Sequence, residues 1–191
     1  MTRTRYVDIV RRRREGKTDY GKRKVIIQSR RTMLNIRISN KTTQIQFITP
    51  KIGGDVVNSS ANSSQLTKLG WNGSGKSIPG VYLTGYLAGK KAIVQGIKDA
   101  VPYIGIRRFQ FGSKISACIK GVLDAGVRVP FDSDIIPTEE RLKGKHISEY
   151  AASLERETVI LQKQKRSGFD HSKYLDNIEK VKSSIDAGYQ N

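Results

Sequence analysis

The sequence predicts an α/β fold, a mixed sheet with helices packed on it, and three observations point there. Two stretches near the front alternate apolar and polar residues in period two (Leu34, Ile36, Ile38; then Ile45, Phe47). Two later stretches place apolar residues at helical spacing, each beginning at a Ser or Pro. Short apolar runs, Val101 to Ile106 and Val127 to Val129, follow those helices as crossover strands would. The resulting order, β-β-β-α-β-α-β, is a hairpin sheet continued by crossovers.

Taken in order, Thr18 or Asp19 caps a short helix through about Gln28. Met33 to Ser39 and Gln44 to Thr49 form a hairpin about Asn40-Lys41, and Asp55 to Ser59 adds a more polar strand after Gly53-Gly54. Asn58 to Ser77, rich in Ser, Asn and Gly, reads as a loop with a short helix near Gln65–Leu69. A long helix begins at Ser77 or Pro79 and runs to about Lys98, with Gly85 and Gly89 letting its backbone approach the sheet. Ser113 caps a second helix from Lys114 to about Ala125, and Gly126 stands where a left-handed C′ residue belongs. Beyond Pro137 the chain is helical around His146–Leu154; Gly168 interrupts it. Asp170 then caps a final amphipathic helix carrying Tyr174, Ile178, Val181 and Ile185. The organisation expected is a basic arm (1–31), an α/β domain (32–150) and a helical C-terminal extension (151–191).

Charge is what sets this sequence apart. Of 191 residues, 35 are Lys or Arg and 17 are Asp or Glu, a net charge of +18. Residues 3–31 hold twelve of the cations and three acids, half of the net charge in one short stretch. Such a run repels itself and does not bury unpaired, so it requires a polyanion. The alternative is a solvated tail that serves solubility or nuclear import. Tyr6 and Tyr20 lie among these cations, placed to stack on unpaired bases. Arg37 and Lys41 extend the basic surface onto the hairpin, and Arg107-Arg108, Lys114, Lys143 and Lys145 continue it. The reading is an arm that orders on nucleic acid, most simply RNA.

Other chemistries find little support. A lone Cys118 forms no intramolecular disulfide, and its reading is a small buried apolar residue. The N-terminus is arginine-rich without an apolar leader, and no apolar run reaches a membrane span of roughly 18 residues; a soluble, cytoplasmic protein is expected. Asp132 and Asp134 suit turn and cap chemistry better than a metal, and His146 and His171 have no nucleophile partner. The rival is Gly70–Ser77, which matches the phosphate-binding pattern G-x-x-x-x-G-K-[ST] at each fixed position. A working loop of that kind follows a buried strand, however, and Asn62–Leu69 is polar. Neither catalysis nor a cofactor is expected.

Several stretches resemble the archaeal-type ribosomal protein eighteen of the large subunit, a 5S ribosomal RNA-binding family. They are Arg11–Tyr20 (RRRREGKTDY), Ser39-Asn40-Lys41, Gly70-Trp71, Tyr82–Gly89 (YLTGYLAG), Gly112-Ser113-Lys114, Asp124-Ala125-Gly126 and Arg141 to Tyr150, in the family's order. The resemblance implies a three-layer fold of ribonuclease-H-like topology without the nuclease acids. It implies a structural role, anchoring 5S RNA in the central protuberance beside 23S ribosomal RNA and large-subunit protein five. The RNA-contacting residues expected are Arg3, Arg5, Arg11, Arg12, Arg13, Arg14, Lys17, Tyr20, Lys22, Arg23, Arg37, Asn40 and Lys41. The chain departs from the family in the Ser/Asn-rich 58–64 and in Gly70–Ser77. The tail beyond Tyr150 is expected to lie on neighbouring RNA or protein.

Overall fold

The structure is a computed structural model that describes residues 9–51, 53–153 and 174–189. Its centre is a four-stranded mixed sheet in the order β3-β2-β1-β4. Strands β1 (Met33–Ile38), β2 (Thr43–Thr49) and β3 (Val56–Asn62) are antiparallel neighbours, and β4 (Val101–Tyr103) runs parallel to β1. The period-two pattern sets the faces. Leu34, Ile36, Ile45, Phe47 and Ala61 point into the main core. Met33 and Ile48, cross-strand partners, are buried on the opposite face beneath the arm.

Before the sheet come α1 (Arg11–Arg14) and α2 (Tyr20–Ser29). The Asp19 side chain caps α2 by accepting from the Lys22 amide at 3.1 Å, as expected. Helix α1 was not foreseen, because four like charges with no apolar residue give no periodic signal.

Strand β3 bears out the polar strand expected from Asp55 to Ser59 and extends it to Asn62, into the stretch expected to be a loop. Ser59 and Ala61 turn inward and are small enough to lie beneath a closely packed helix, so a polar-looking segment completes the sheet. Helix α3 (Ser63–Lys68) follows directly, with Asn62 and Gln65 forming a capping box. Helix α4 (Ile78–Val94) is capped by Ser77, whose hydroxyl accepts from the Gly80 amide, with Pro79 in its first turn. It is buried from Ile78 through Gly89, as a helix apolar on all sides must be. It stops short of Lys98 because Gly96 adopts φ +76°, and the Gly96 and Ile97 amides donate back to Ile93 and Ala92. That is a Schellman stop.

Helix α5 (Lys114–Asp124), capped by Ser113, packs on α4. Gly85 and Gly89 face this helix rather than the sheet. A Cβ on Gly85 would lie 2.3 Å from the Cys118 carbonyl oxygen, and one on Gly121 would lie 2.2 Å from that of Tyr82. The expected strand at Val127–Val129 reduces to a single parallel bridge, Asp99 to Arg128. The run from Val101 gives three strand residues: Pro102 lacks an amide donor and Gly105 turns the chain at φ +67°. Beyond a 3-10 turn (Ser133–Ile135) lie α6 (Glu139–Leu142) and α7 (Lys145–Ser153).

The final described helix, α8 (Tyr174–Gly188), buries Tyr174, Ile178, Val181 and Ile185 as its spacing foretold. It lies on this chain's own α4 rather than on a neighbour alone. Tyr86 donates to Asp186 at 2.6 Å, Lys90 pairs with the same carboxylate at 2.8 Å, and Tyr174 meets Trp71 edge to face. The proposed interruption at Gly168 and cap at Asp170 fall outside the described residues. The layers are therefore sheet, then α4, then α5 and α8, with the basic arm across the sheet's other face.

Candidate nucleic-acid interface

The arm and the sheet enclose a cleft of about 940 Å³. Its arm wall carries Arg12, Lys17, Tyr20 and Arg23; its floor is the outward face of β1 and β2; its far wall is the chain from Tyr103 to Arg107. Strand alternation fixes the floor: Met33, Asn35 and Arg37 share one side of β1, opposite the core-facing Leu34 and Ile36. Asn35 and Gln46 are register partners with Nδ2 and Oε1 3.5 Å apart, leaving amide groups to hydrogen-bond a polar ligand.

The charge balance is one-sided. Arg12, Lys17, Arg23, Arg37 and Arg107 line the cleft against the single acid Asp55. Asp55 is engaged already: Arg23 donates to it from both Nη atoms, at 2.6 and 3.0 Å, and this pairing raises the guanidinium's already high pKa. Glu15 sits on the arm between Lys17 (2.6 Å) and Arg11 (2.7 Å), whose hydrogen bonds hold its carboxyl below the ordinary range. Arg12 donates from Nε to the Thr18 hydroxyl, and Arg107 donates to the Ile38 carbonyl at 2.9 Å, which fixes two cationic walls. With Tyr20 and Tyr103 also present, the cleft offers cations for phosphates, amides for base edges and rings for stacking.

Of the expected residues, the fold gathers Arg12, Lys17, Tyr20, Arg23 and Arg37 in this cleft. Asn40 and Lys41 are exposed at the hairpin tip, next to the cleft-lining Ser39, which accepts from the Thr42 amide and donates to its carbonyl. Arg11, Arg13, Arg14 and Lys22 stand exposed outside it, Lys22 near Asp19 at 3.6 Å. Arg3, Arg5 and Tyr6 lie outside the described residues. Lys143 and Lys145 stand exposed outside the cleft, paired with Glu139 at 3.7 Å and Glu140 at 2.9 Å. Sequence reasoning missed Asn35, Gln46 and Tyr103; the first two occupy the polar phase of apolar strands, a signal that was there to read.

The Gly70–Ser77 string does not form a phosphate loop. Helix α3 precedes it where a strand would be needed, Gly75 packs against Ser63, and its carbonyl accepts from the Thr43 hydroxyl at 2.9 Å. Asp132 caps the 3-10 turn, as its turn reading required. Cys118 is fully buried, which pushes its thiol pKa up and removes it from nucleophilic chemistry. Among the described residues no helix is long and apolar enough to cross a membrane.

Comparison with known proteins agrees with this picture. The family model described as ribosomal large subunit proteins 60S L5 and 50S L18 matches residues 4–101. The chain is 38% identical to the large ribosomal subunit protein uL18 of Aeropyrum pernix, over 97% of this chain and 90% of that protein. The uL18 of Thermofilum pendens is 37% identical over 97% of each chain. That of Methanothermobacter thermautotrophicus is 40% identical over 95% of this chain and 96% of its own. These relatives are named as ribosomal proteins, not as enzymes. A basic cleft and these likenesses converge: the chain belongs to the L5/L18 family of ribosomal large-subunit proteins.

Proposed function

We propose that this protein binds 5S ribosomal RNA and helps anchor it in the central protuberance of the cytoplasmic ribosome, in contact with 23S ribosomal RNA and large-subunit protein five. The observation that carries the reading is the arm–sheet cleft, where five cations face one already paired acid. The RNA contacts are Arg3, Arg5, Arg11 to Arg14, Lys17, Tyr20, Lys22, Arg23, Arg37, Asn40 and Lys41, with those in the cleft holding the backbone and the rest following it outward. The strand order β3-β2-β1-β4, with β4 parallel to β1, supports a ribonuclease-H-like topology. The chain divides into an arm (1–31), a domain (32–150) and an extension (151–191) whose α8 docks back on the domain.

Deleting Met1–Arg31 abolishes binding of a 5S RNA transcript in a filter assay while circular dichroism still reports a folded domain. Undiminished binding by the truncated chain refutes the assignment of this surface. Equal affinity for 5S RNA and random duplex DNA at fixed salt identifies a general basic binder instead.

A further inference from the structure

Phe111 is 78% exposed, more than any other large apolar side chain among the described residues. It stands on the loop between β4 and α5. Ile106 and Arg107 of that loop still line the arm–sheet cleft; Phe109 and Phe111 lie beyond it. Three contacts anchor the loop. Arg107 donates to the Ile38 carbonyl at 2.9 Å. The Phe109 ring meets Phe131 edge to face with centroids 5.3 Å apart, and the Gly112 amide donates to the Ile135 carbonyl at 3.1 Å. The exposure of Phe111 is therefore built in, and a partner that covers it has little loop left to order.

The last two anchors set the loop beside the segment from Phe131 to Ile135, where the sign of the charge reverses. Between Val129 and Glu140 stand four acids (Asp132, Asp134, Glu139, Glu140) and no Lys or Arg, in a sequence of 35 cations and 17 acids. Glu139 and Glu140 pair with Lys143 and Lys145. Asp132 and Asp134 are exposed and, among the described residues, form no ion pair. Arg108 and Lys114 flank the loop, but a phosphate backbone laid on Phe111 would also lie beside these two carboxylates, and that repulsion counts against RNA as the occupant. A second copy of this chain, at +18, would add repulsion over its whole surface. An exposed ring next to unpaired carboxylates suits a different protein, whose apolar recess takes the ring and whose rim cation meets Asp132 and Asp134.

We propose that Phe111, with Asp132 and Asp134 beside it, is a docking surface for a second protein of the large subunit, one that offers an apolar recess with a basic rim. The proposal rests on membership of the large subunit and not on the 5S assignment. Large subunits are isolated from cells expressing the full chain with Phe111→p-benzoylphenylalanine, irradiated, and the photoproduct is identified by mass spectrometry. The expected product joins position 111 to another protein. A photoproduct on RNA, on another part of this chain or on a second copy overturns the proposal, and so does the absence of any photoproduct. The protein so joined is then purified and titrated with wild type and variants. Phe111→Ala binds it about tenfold more weakly. Asp132→Asn/Asp134→Asn binds it about threefold more weakly and with a flatter salt dependence. Unchanged affinity of Phe111→Ala overturns the surface; unchanged affinity of the aspartate variant overturns the basic rim and with it the choice of partner. On 5S RNA, Phe111→Ala keeps wild-type affinity, and a loss there makes the loop part of the RNA surface and overturns the proposal. Failure of the wild type itself on 5S RNA refutes the proposed function and leaves the photoproduct to decide this surface. Where circular dichroism shows that the double variant disturbs the turn capped by Asp132, Asp134→Asn alone is read in the same titration.

Discussion

Arg23 and Asp55 join the arm to the sheet, two hydrogen bonds of 2.6 and 3.0 Å linking residues 32 apart in sequence, both half-buried. The fork adds a directional polar link to the cover that the arm lays over Met33 and Ile48. Asp55→Asn keeps the shape and loses the charge. We expect it to cost about 1 kcal/mol, the upper end for a bidentate pair partly in solvent. RNA affinity should drop by roughly threefold to tenfold, because the arm must then be ordered during binding. Denaturant melts and filter binding check the two effects; unaltered affinity would mean that the arm docks only on RNA.

Helices α4 and α5 touch backbone to backbone. Gly85→Ala sets a methyl 2.3 Å from the Cys118 carbonyl oxygen, an atom that cannot swing aside. Overpacking of this kind costs roughly 1–3 kcal/mol, which in a chain of this size lowers Tm by about 2–4 °C per kcal/mol. Calorimetry reads it directly. Ala at Gly53, where nothing lies within 4 Å, is the control and should melt with the wild type.

Asp186 holds α8 to α4. Partial burial pushes its carboxyl up, but hydrogen bonds from Lys90 and Tyr86 outweigh that and bring it below the ordinary 3.8. A depressed carboxyl stabilises the fold fully above its unfolded value and loses that contribution as pH falls through the folded one. Asp186→Asn is therefore less stable than wild type at neutral pH, by about 0.5–1 kcal/mol for so exposed a pair. The gap should begin to narrow below about pH 4 and close only once pH falls beneath the lowered folded value. A gap that is constant across the titration would remove the carboxylate from the account.

Tyr174 is buried edge to face against Trp71, with centroids 5.5 Å apart and rings at 82°. Tyr174→Ala empties that position, and removing a buried aromatic costs about 3–5 kcal/mol. The expected result is an α8 that is cut by trypsin at Lys180 and Lys182 well before the domain unfolds. Equal digestion rates would show that Ile178, Val181 and Ile185 suffice to dock it.

If about eight phosphates are neutralised, log K for 5S RNA falls against log salt with a slope of roughly −6 to −7. Arg12→Ala/Lys17→Ala should flatten that slope by between 1 and 2, roughly 0.7–0.9 per lost contact. A weakened constant at unchanged slope would assign the two residues to folding instead of phosphate contact.

Much of this protein was legible in its residues. Period two at Leu34–Ile38 and Ile45–Phe47 set the hairpin and its inner face, because a strand offers alternate residues to alternate sides. Asp19, Ser77 and Ser113 marked helix starts, since free amides there require acceptors. The cation run set where the basic surface lies, because no packed core tolerates it. Tertiary structure alone carried that third strand beyond Ser59 through Ala61 to Asn62, for only a helix lying close overhead rewards small side chains there. It alone turned Gly85 and Gly89 toward Cys118 and Ala125, since a helix buried all round carries no amphipathic stripe to orient it. It also brought Arg23 to Asp55 and Arg30 near Arg128: pairings between distant segments depend on how the chain closes in space, which local patterns do not encode.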